Sequence, residues 1–289
     1  MHDIVNETFA FFSTQFEGRV PYMYLDIKGL VTIGVGNLID PVETALEVAG
    51  RHPFHFKNSP GSLASIGDVR AEWNLLKSDP TLAQRGHLAC EPITQLRLSD
   101  VDIDALVLEK SAANEQILLG APAFASLQTW PADAQLALFS MAWAMGPAFS
   151  PIFPSFSASC ADEDWDGAAA NCRINDVGNP GLTPRNVANR VLFANAAFVA
   201  ANALDFEQLS YVPSGERPSL ALGSSGAHVS FLQERLFTLD YLGAVSAFFD
   251  NQTDEAVRQL QSDYQLTVDG KVGPSTWAAL GTGIPAGEL

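Results

Sequence analysis

The sequence predicts an α+β protein in which helices dominate, divided into a larger N-terminal domain and a small C-terminal one. Three observations support this prediction: an amphipathic helical pattern near the start, a short hairpin pattern directly after it, and three short helical patterns near the end. The chain of 289 residues is about as long as two domains, and its 47% of hydrophobic residues can form a core for each.

The first helical pattern covers residues 3–16, where apolar residues recur at intervals of three and four. Gly18 follows as a natural helix stop, so Glu17 should lie at the C-terminal end of this helix. The pattern then changes to short aromatic and β-branched runs on either side of a turn at 26–29. This change predicts a β-hairpin.

A segment rich in Pro, Ser and Gly at 211–218 predicts a linker between the two domains, 1–210 and 219–289. It follows a long Ala- and Phe-rich stretch at 186–206, which predicts a helix. A further helix is expected at 68–77.

The C-terminal domain contains an internal repeat. The motif V-x-x-L-Q at 229–233 returns at 257–261, 28 residues later, and each copy places an apolar stripe on a short helix. A third helix is expected at 274–280, with Pro in its first turn. In this order the landmarks resemble the peptidoglycan-binding domain type 1 of cell-wall hydrolases over residues 219–283. The resemblance implies a three-helix bundle that anchors the chain to the cell wall.

Two carboxylates and a hydroxyl occupy the region where the first helix meets the hairpin. Asp26 lies nine residues after Glu17, and Thr32 lies six residues after Asp26 on the returning strand. Glycoside hydrolysis needs one carboxyl group that gives a proton to the leaving oxygen and a second, ionised one that activates water. On spacing alone, the same three residues could equally be a helix end, a turn former and an ordinary strand residue.

The sequence around these three residues favours a catalytic role for them. FEGRVPYMYLDIKGLVTIGVGNLI at 16–39 closely resembles the active-site signature of the phage-type lysozymes, glycoside hydrolase family 24. DAQLALFSMAWAMG at 133–146 resembles the central buried helix of that family. The resemblance covers about 5–40 and 94–205 and implies a lysozyme-like fold. It also implies that Glu17 is the general acid and that Asp26, with Thr32, directs the attacking water, so that the sugar carbon is inverted.

The same resemblance implies roles in substrate binding for a wider set of residues. These are Leu38, Asn37, Trp143, Asn171, Ser155, Arg185 and Arg190. Either Arg185 or Arg190 is expected to pair with Glu17, and the alignment leaves open which of them does so. The chain departs from the family at Asn37, where a His is common, and at Ala144, where an amide is usual.

Residues 41–93 form an insertion relative to the family. We expect it to act as a lid or as an additional wall over the cleft. It contains His52 and His55, but no set of Cys or carboxylate ligands accompanies them, so we predict neither a metal nor another cofactor. Three scattered cysteines are expected to be buried thiols, although Cys160 and Cys172 could form a disulfide in an oxidising compartment.

These features predict a muramidase that cleaves the β-1,4 bond between N-acetylmuramic acid and N-acetylglucosamine in peptidoglycan. Two alternatives remain at this stage. A lytic transglycosylase would act on the same bond and would need only the glutamate. A non-catalytic cell-wall-binding protein would need none of the three residues at the helix–hairpin junction.

Charge and the N-terminus indicate where such a protein would act. The chain has 33 acidic and 16 basic residues, a net charge of −17, which argues against nucleic acid or an anionic membrane as a partner. No segment is apolar for long enough to span a membrane, and the first residues lack the features of a secretory signal. We therefore expect synthesis in the cytoplasm and holin-dependent or contact-dependent delivery to periplasmic peptidoglycan. The protein would be a phage endolysin or a secreted antibacterial effector, and an effector would imply an immunity protein as a further partner.

Overall fold

The computed structural model of the chain describes residues 1–179, 181–210, 219–225, 227–246 and 248–280. The protein is mostly helical with small β-sheets, which agrees with the α+β class. The chain divides into two compact units. We call Ala10–Ala113 the hairpin unit, and Met1–Phe9 together with Asn114–Leu289 the helical unit. The predicted linker at 211–218 lies outside the described residues, and the predicted division into 1–210 and 219–289 stays a prediction.

The hairpin unit begins in helix α1 (Asp3–Glu17), whose first residues belong to the helical unit. A three-stranded antiparallel sheet follows, in the order β1 (Val20–Leu25), β2 (Val31–Gly34) and β3 (Asn37–Leu38). The predicted helix and hairpin are therefore confirmed. Helix α1 extends one residue beyond its apolar pattern and ends at Glu17, as the glycine after it requires.

Residues 41–93 are a folded part of the hairpin unit. Their elements are α2 (Val42–Arg51), β4 (His55–Phe56), β5 (Ser59–Leu63), α3 (Ile66–Lys77) and α4 (Leu82–Arg85). Helix α3 confirms the helix predicted at 68–77 and begins two residues earlier. Ser65 and Asp68 there form a reciprocal capping box that satisfies two backbone N–H groups.

Two later elements complete the hairpin unit. Strand β6 (Leu96–Arg97) pairs with β4, which gives a second sheet in the order β5-β4-β6. Helix α5 (Asp100–Leu119) follows and runs from this unit into the helical unit.

The helical unit contains a largely buried helix, as the sequence predicts. Helix α6 (Ala132–Met145) is buried from its first residue to Trp143 and ends at Gly146, whose φ of 85° favours glycine. The helices after it are α7 (Pro154–Ala161), α8 (Trp165–Asn171) and α9 (Leu182–Ala201). None of the helices in the described residues is long and apolar enough to cross a lipid bilayer.

The boundaries predicted for the last of these helices, 186–206, were wrong at both ends. Helix α9 begins four residues earlier and ends at Ala201, five residues before the predicted end. Ala203 has a φ of 49°, and the backbone N–H of Leu204 donates to the carbonyl of Val199 at 3.0 Å. A left-handed residue with a hydrogen bond back across the final turn is how helices stop. The Ala- and Phe-rich composition does not reveal this stop.

The C-terminal residues form three helices around a core of their own. These are α10 (Ala227–Thr238), α11 (Asn251–Asp263) and α12 (Pro274–Ala279). The buried side chains Val229, Leu232, Val257, Leu260 and Trp277 lie in this core. The apolar positions of the internal repeat are therefore buried, as predicted.

All three cysteines are buried and free, so Cys160 and Cys172 do not form a disulfide. Burial raises the pKa of Cys172 to about 11 and also raises the pKa values of Cys160 and Cys90. Because the thiolate is the reactive form, these residues are unsuited to nucleophilic chemistry at neutral pH.

Candidate active site

Glu17 is the last residue of α1 and is half-buried. The next residue, Gly18, has a φ of 73°, and its backbone N–H donates to the carbonyl of Thr14 at 2.9 Å. A side chain at position 18 would strain the backbone, so glycine allows the chain to turn immediately after Glu17. The carboxylate therefore projects from the junction between helix and hairpin.

Asp26 begins the turn of the hairpin and organises it. Its Oδ1 accepts hydrogen bonds from the backbone N–H groups of Lys28 at 2.8 Å and Leu30 at 2.9 Å. The backbone N–H of Asp26 donates to the carbonyl of Leu30 at 2.9 Å, and its carbonyl accepts from Gly29 at 2.8 Å. Four hydrogen bonds thus hold this residue in one position.

One face of the first sheet carries a row of three residues, Tyr24, Thr32 and Leu38. Thr32 lies opposite Tyr24 on β1 and opposite Leu38 on β3. Directly opposed residues of antiparallel strands carry their side chains on the same face. Thr32 is buried and its hydroxyl donates to the carbonyl of Leu30 at 3.3 Å, whereas Leu38 is 48% exposed. The row therefore runs from the interior to a surface edge.

The pKa of Tyr24 responds to the charges of both carboxylates. Burial, followed by the negative charges of Glu17 and then Asp26, raises the pKa of the Tyr24 phenol to about 12. Charges act on one another strongly only at short range or through a poorly polarisable interior. Both carboxylates therefore act on this phenol, which stays protonated at neutral pH and can donate a hydrogen bond.

Lys110 on α5 places a positive charge at the same site. Its Nζ donates to the carbonyl of Gly36 at 3.3 Å. Burial lowers the pKa of Lys110 to about 8, and the negative charge of Glu17 opposes this shift. A lysine with a lowered pKa near a carboxylate is typical of functional sites, although buried ion pairs also occur for structural reasons.

The side chain of Asn37 forms hydrogen bonds with the backbone around it. The side chain is buried, its Oδ1 accepts from the backbone N–H of Val35 at 3.2 Å, and its Nδ2 donates to the carbonyl of Leu106 at 3.5 Å. These contacts hold the tight connection between β2 and β3. The polar groups of Asn37 thus stabilise the connection that leads into β3, the strand that contains Leu38.

The other predicted site residues belong to the helical unit. Trp143 is buried and packs edge-to-face on Phe9, with ring centroids 5.1 Å apart. Arg185 is also buried, and its Nη1 donates to the carbonyl of Ser140 at 2.9 Å. Arg190, by contrast, is exposed. The pairing of Arg185 or Arg190 with Glu17 stays a prediction.

Ser155 and Asn171 are exposed residues of the same unit. Asn171 ends α8, and its Nδ2 donates to the carbonyl of Gly167 at 2.8 Å. Ser155 is the second residue of α7. The substrate-binding roles of both residues stay predictions.

Sequence analysis missed Tyr24 and Lys110, although both carry a readable signal. Tyr24 lies two residues before Asp26, close to the end of the strand that leads into the turn. Lys110 interrupts a buried helical stripe that contains Ile103, Val107 and Asn114. A lone charge at a core position of a helix is a candidate for function.

His52, one of the two histidines considered above as metal ligands, is paired within the protein. His52 is buried, and its Nε2 lies 3.1 Å from Oε1 of Glu109. Nowhere in the described residues do three or more His, Cys, Asp or Glu side chains form a group that could hold a metal ion.

Comparison with known proteins identifies the C-terminal part. Residues 225–280 match a family model described as "Putative peptidoglycan binding domain". This segment is similar to peptidoglycan-binding domains. The match covers helices α10 to α12 and supports cell-wall association with peptidoglycan as a partner. A comparison with curated proteins found no match.

Proposed function

We propose that the protein is a peptidoglycan hydrolase that cleaves the β-1,4 bond between N-acetylmuramic acid and N-acetylglucosamine. One observation carries the proposal: Glu17 and Asp26 both act on the phenol of Tyr24, which lies directly opposite Thr32. Two carboxyl groups, one to donate a proton and one to activate water, are what glycoside hydrolysis requires. The peptidoglycan-binding segment supports the choice of substrate.

In the proposed reaction, Glu17 donates its proton to the glycosidic oxygen as the bond from that oxygen to the sugar carbon breaks. A water molecule attacks the same carbon, and Asp26 accepts a proton from this water. Asp26 suits this role because its Oδ1 is held by two backbone N–H groups. A base in a fixed position lowers the entropic cost of aligning water. Thr32 would orient the water molecule by hydrogen bonding.

The C-terminal segment would keep the hydrolase at its substrate. Binding to an insoluble polymer raises the effective concentration of glycan strands around a linked catalytic site. A site with weak affinity for each strand could then remain occupied. Delivery to the periplasm, by a holin or by contact-dependent secretion, completes the proposal, with an immunity protein as partner in the second case.

Replacement of Glu17 by Gln tests the proposal. We expect Glu17→Gln to abolish the release of soluble fragments from purified sacculi, because the amide has no proton of suitable acidity to donate. The variant should still co-sediment with sacculi. Glu7→Gln is the matched control, since Glu7 is an exposed residue of the same helix, and it should release fragments at the wild-type rate.

The products distinguish the alternatives. Reducing ends in the digest indicate hydrolysis, whereas 1,6-anhydro ends indicate a lytic transglycosylase. Fragment release by a folded Glu17→Gln variant would contradict the role of Glu17. Co-sedimentation without fragment release by the wild-type chain would indicate a protein that only binds the wall.

A further inference from the structure

His87 connects the insertion to the candidate active site. It begins a short 3-10 helix, His87–Ala89, within residues 41–93. Its Nδ1 lies 3.1 Å from the hydroxyl of Tyr22, and its ring lies against the ring of Tyr24 with centroids 5.9 Å apart. Tyr24 is the residue on which both proposed catalytic carboxylates act. His87 is thus one of the residues through which the insertion contacts the candidate site.

The hydrogen bond to Tyr22 determines which nitrogen of His87 carries a proton toward solvent. Burial, and then the negative charge of Glu91, raises the pKa of Tyr22, so its phenol keeps its proton and can donate to Nδ1. In the tautomer in which Nδ1 accepts from this phenol, Nε2 carries the ring proton. His87 is exposed, and within the described ranges its Nε2 has no hydrogen-bond partner. It is therefore a donor available to a ligand.

Tyr24 offers a second donor beside the first. Its phenol is protonated at neutral pH, and its hydroxyl has no hydrogen-bond partner in the part of the chain that the structure describes. Tyr22 itself is held from its other side, because the guanidinium of Arg97 lies 4.7 Å from its ring centroid. The ring of His87 is thus positioned, through its hydrogen bond to Tyr22, before any ligand arrives, which lowers the entropic cost of binding.

We infer that His87 and Tyr24 form a glycan-binding edge of the active site, with His87 donating from Nε2 to an oxygen of an N-acetylated sugar. This inference rests on the proposed function, and it assigns the insertion a role in binding substrate. The acetamido carbonyl and the ring hydroxyls of the glycan are acceptors of the required kind. His87 is a positioning residue and takes no part in proton transfer to the scissile bond.

Kinetics with purified sacculi test this role. Loss of one hydrogen bond to an uncharged acceptor should raise KM by about three- to tenfold in His87→Ala and leave kcat within about twofold. His87→Gln keeps an N–H donor and should recover part of the loss. Gln84→Ala, at an exposed position of α4 in the same insertion, is the matched control and should have wild-type constants. An unchanged KM in His87→Ala, or a fall in kcat alone, would overturn the inference.

A binding measurement separates this inference from the proposed reaction. The full chain, with its five histidines labelled with ¹⁵N, is titrated with the soluble tetramer of N-acetylglucosamine. The ring signals absent from His87→Gln should shift, and the other four histidines should not. If they shift although sacculi are not cleaved, the binding edge stands and the proposed reaction fails. If sacculi are cleaved and these signals do not move, the edge fails and the reaction stands.

Discussion

At the scale of single residues, Asp26 and Lys110 illustrate how one side chain can belong to both the fold and the site. Oδ1 of Asp26 holds the hairpin turn through two backbone N–H groups, while the carboxylate is the proposed base. Lys110 is half-buried and donates to the carbonyl of Gly36, while its charge interacts with Glu17. For both residues, activity assays alone would therefore mix two effects, and stability must be measured alongside.

The lowered pKa of Lys110 predicts a specific dependence of stability on pH. The pKa falls from 10.5 to about 8 because burial disfavours the charged form. Between these two values the unfolded chain binds more protons at this residue than the folded chain, so stability should rise with pH across this window. The full gain corresponds to roughly 3 kcal/mol, at about 1.4 kcal/mol for each pH unit.

Lys110→Met should lack this gain, since methionine has similar length and no charge. We expect the free energy of unfolding of wild type, relative to Lys110→Met, to increase from pH 8 to pH 10.5 in urea titrations. Lys57→Met, which removes a charge from a largely exposed side chain, is the control and should follow wild type. Parallel curves for wild type and Lys110→Met would show that the lysine titrates normally.

At the scale of elements, two glutamines explain why the C-terminal motif repeats. Gln233 on α10 donates to the hydroxyl of Thr253 at 2.8 Å and accepts from the backbone N–H of Ser246 at 2.9 Å. Gln261 on α11 donates to the carbonyl of Lys271 at 2.8 Å and accepts from the backbone N–H of Gly270 at 2.9 Å. In both copies, the buried amide after the apolar stripe holds the loop that follows the helix.

Replacing Gln261 by Ala should destabilise this segment. The substitution removes the side-chain acceptor of the backbone N–H groups of Asp269 and Gly270, and one buried group without a partner costs about 1 to 3 kcal/mol. We expect an earlier unfolding transition and weaker co-sedimentation with sacculi. Gln259→Ala, on the exposed face of the same helix, should change neither. Wild-type stability in Gln261→Ala would mean that the loop is held by its other contacts.

At the scale of the whole molecule, the net negative charge of the chain opposes its association with peptidoglycan. The chain carries a net charge of −17, and residues 211–289 contribute 9 acidic and 4 basic side chains to it. Peptidoglycan carries free carboxylates on its stem peptides. Like charges repel over about one Debye length, roughly 10 Å at 0.1 M salt. Attraction to the wall must therefore come from short-range contacts.

This charge repulsion predicts that binding to the cell wall becomes stronger as the salt concentration rises. We expect the fraction of protein that co-sediments with sacculi to rise as NaCl increases from about 20 to about 200 mM, because salt screens the repulsion. Trp277→Ala, which removes a large side chain from the core of the C-terminal segment, should lose binding at every salt concentration. A fall in wild-type binding with added salt would indicate that a local basic patch drives association.

Local sequence determined much of this architecture. The helix that ends at Glu17, the hairpin around Asp26, the buried helix α6 and the repeat in the C-terminal segment each follow from periodicity, a glycine stop or a turn residue. These signals are local, because hydrogen bonds within a helix or turn join residues only a few positions apart. The end of α9 escaped prediction because a left-handed alanine, rather than a glycine, stops it.

The contacts of the candidate site were decided by tertiary structure. Lys110 reaches Gly36, and His87 reaches Tyr22, across 74 and 65 residues of sequence respectively. No periodicity encodes such pairs, because their distances depend on how separate elements pack. Burial then changes how strongly the charged groups of the site interact, as the pKa values of Tyr24 and Lys110 show. Burial is a property of the folded chain and cannot be deduced from local sequence. The sequence indicates which side chains could take part in a reaction. Tertiary packing determines which of these side chains lie close together.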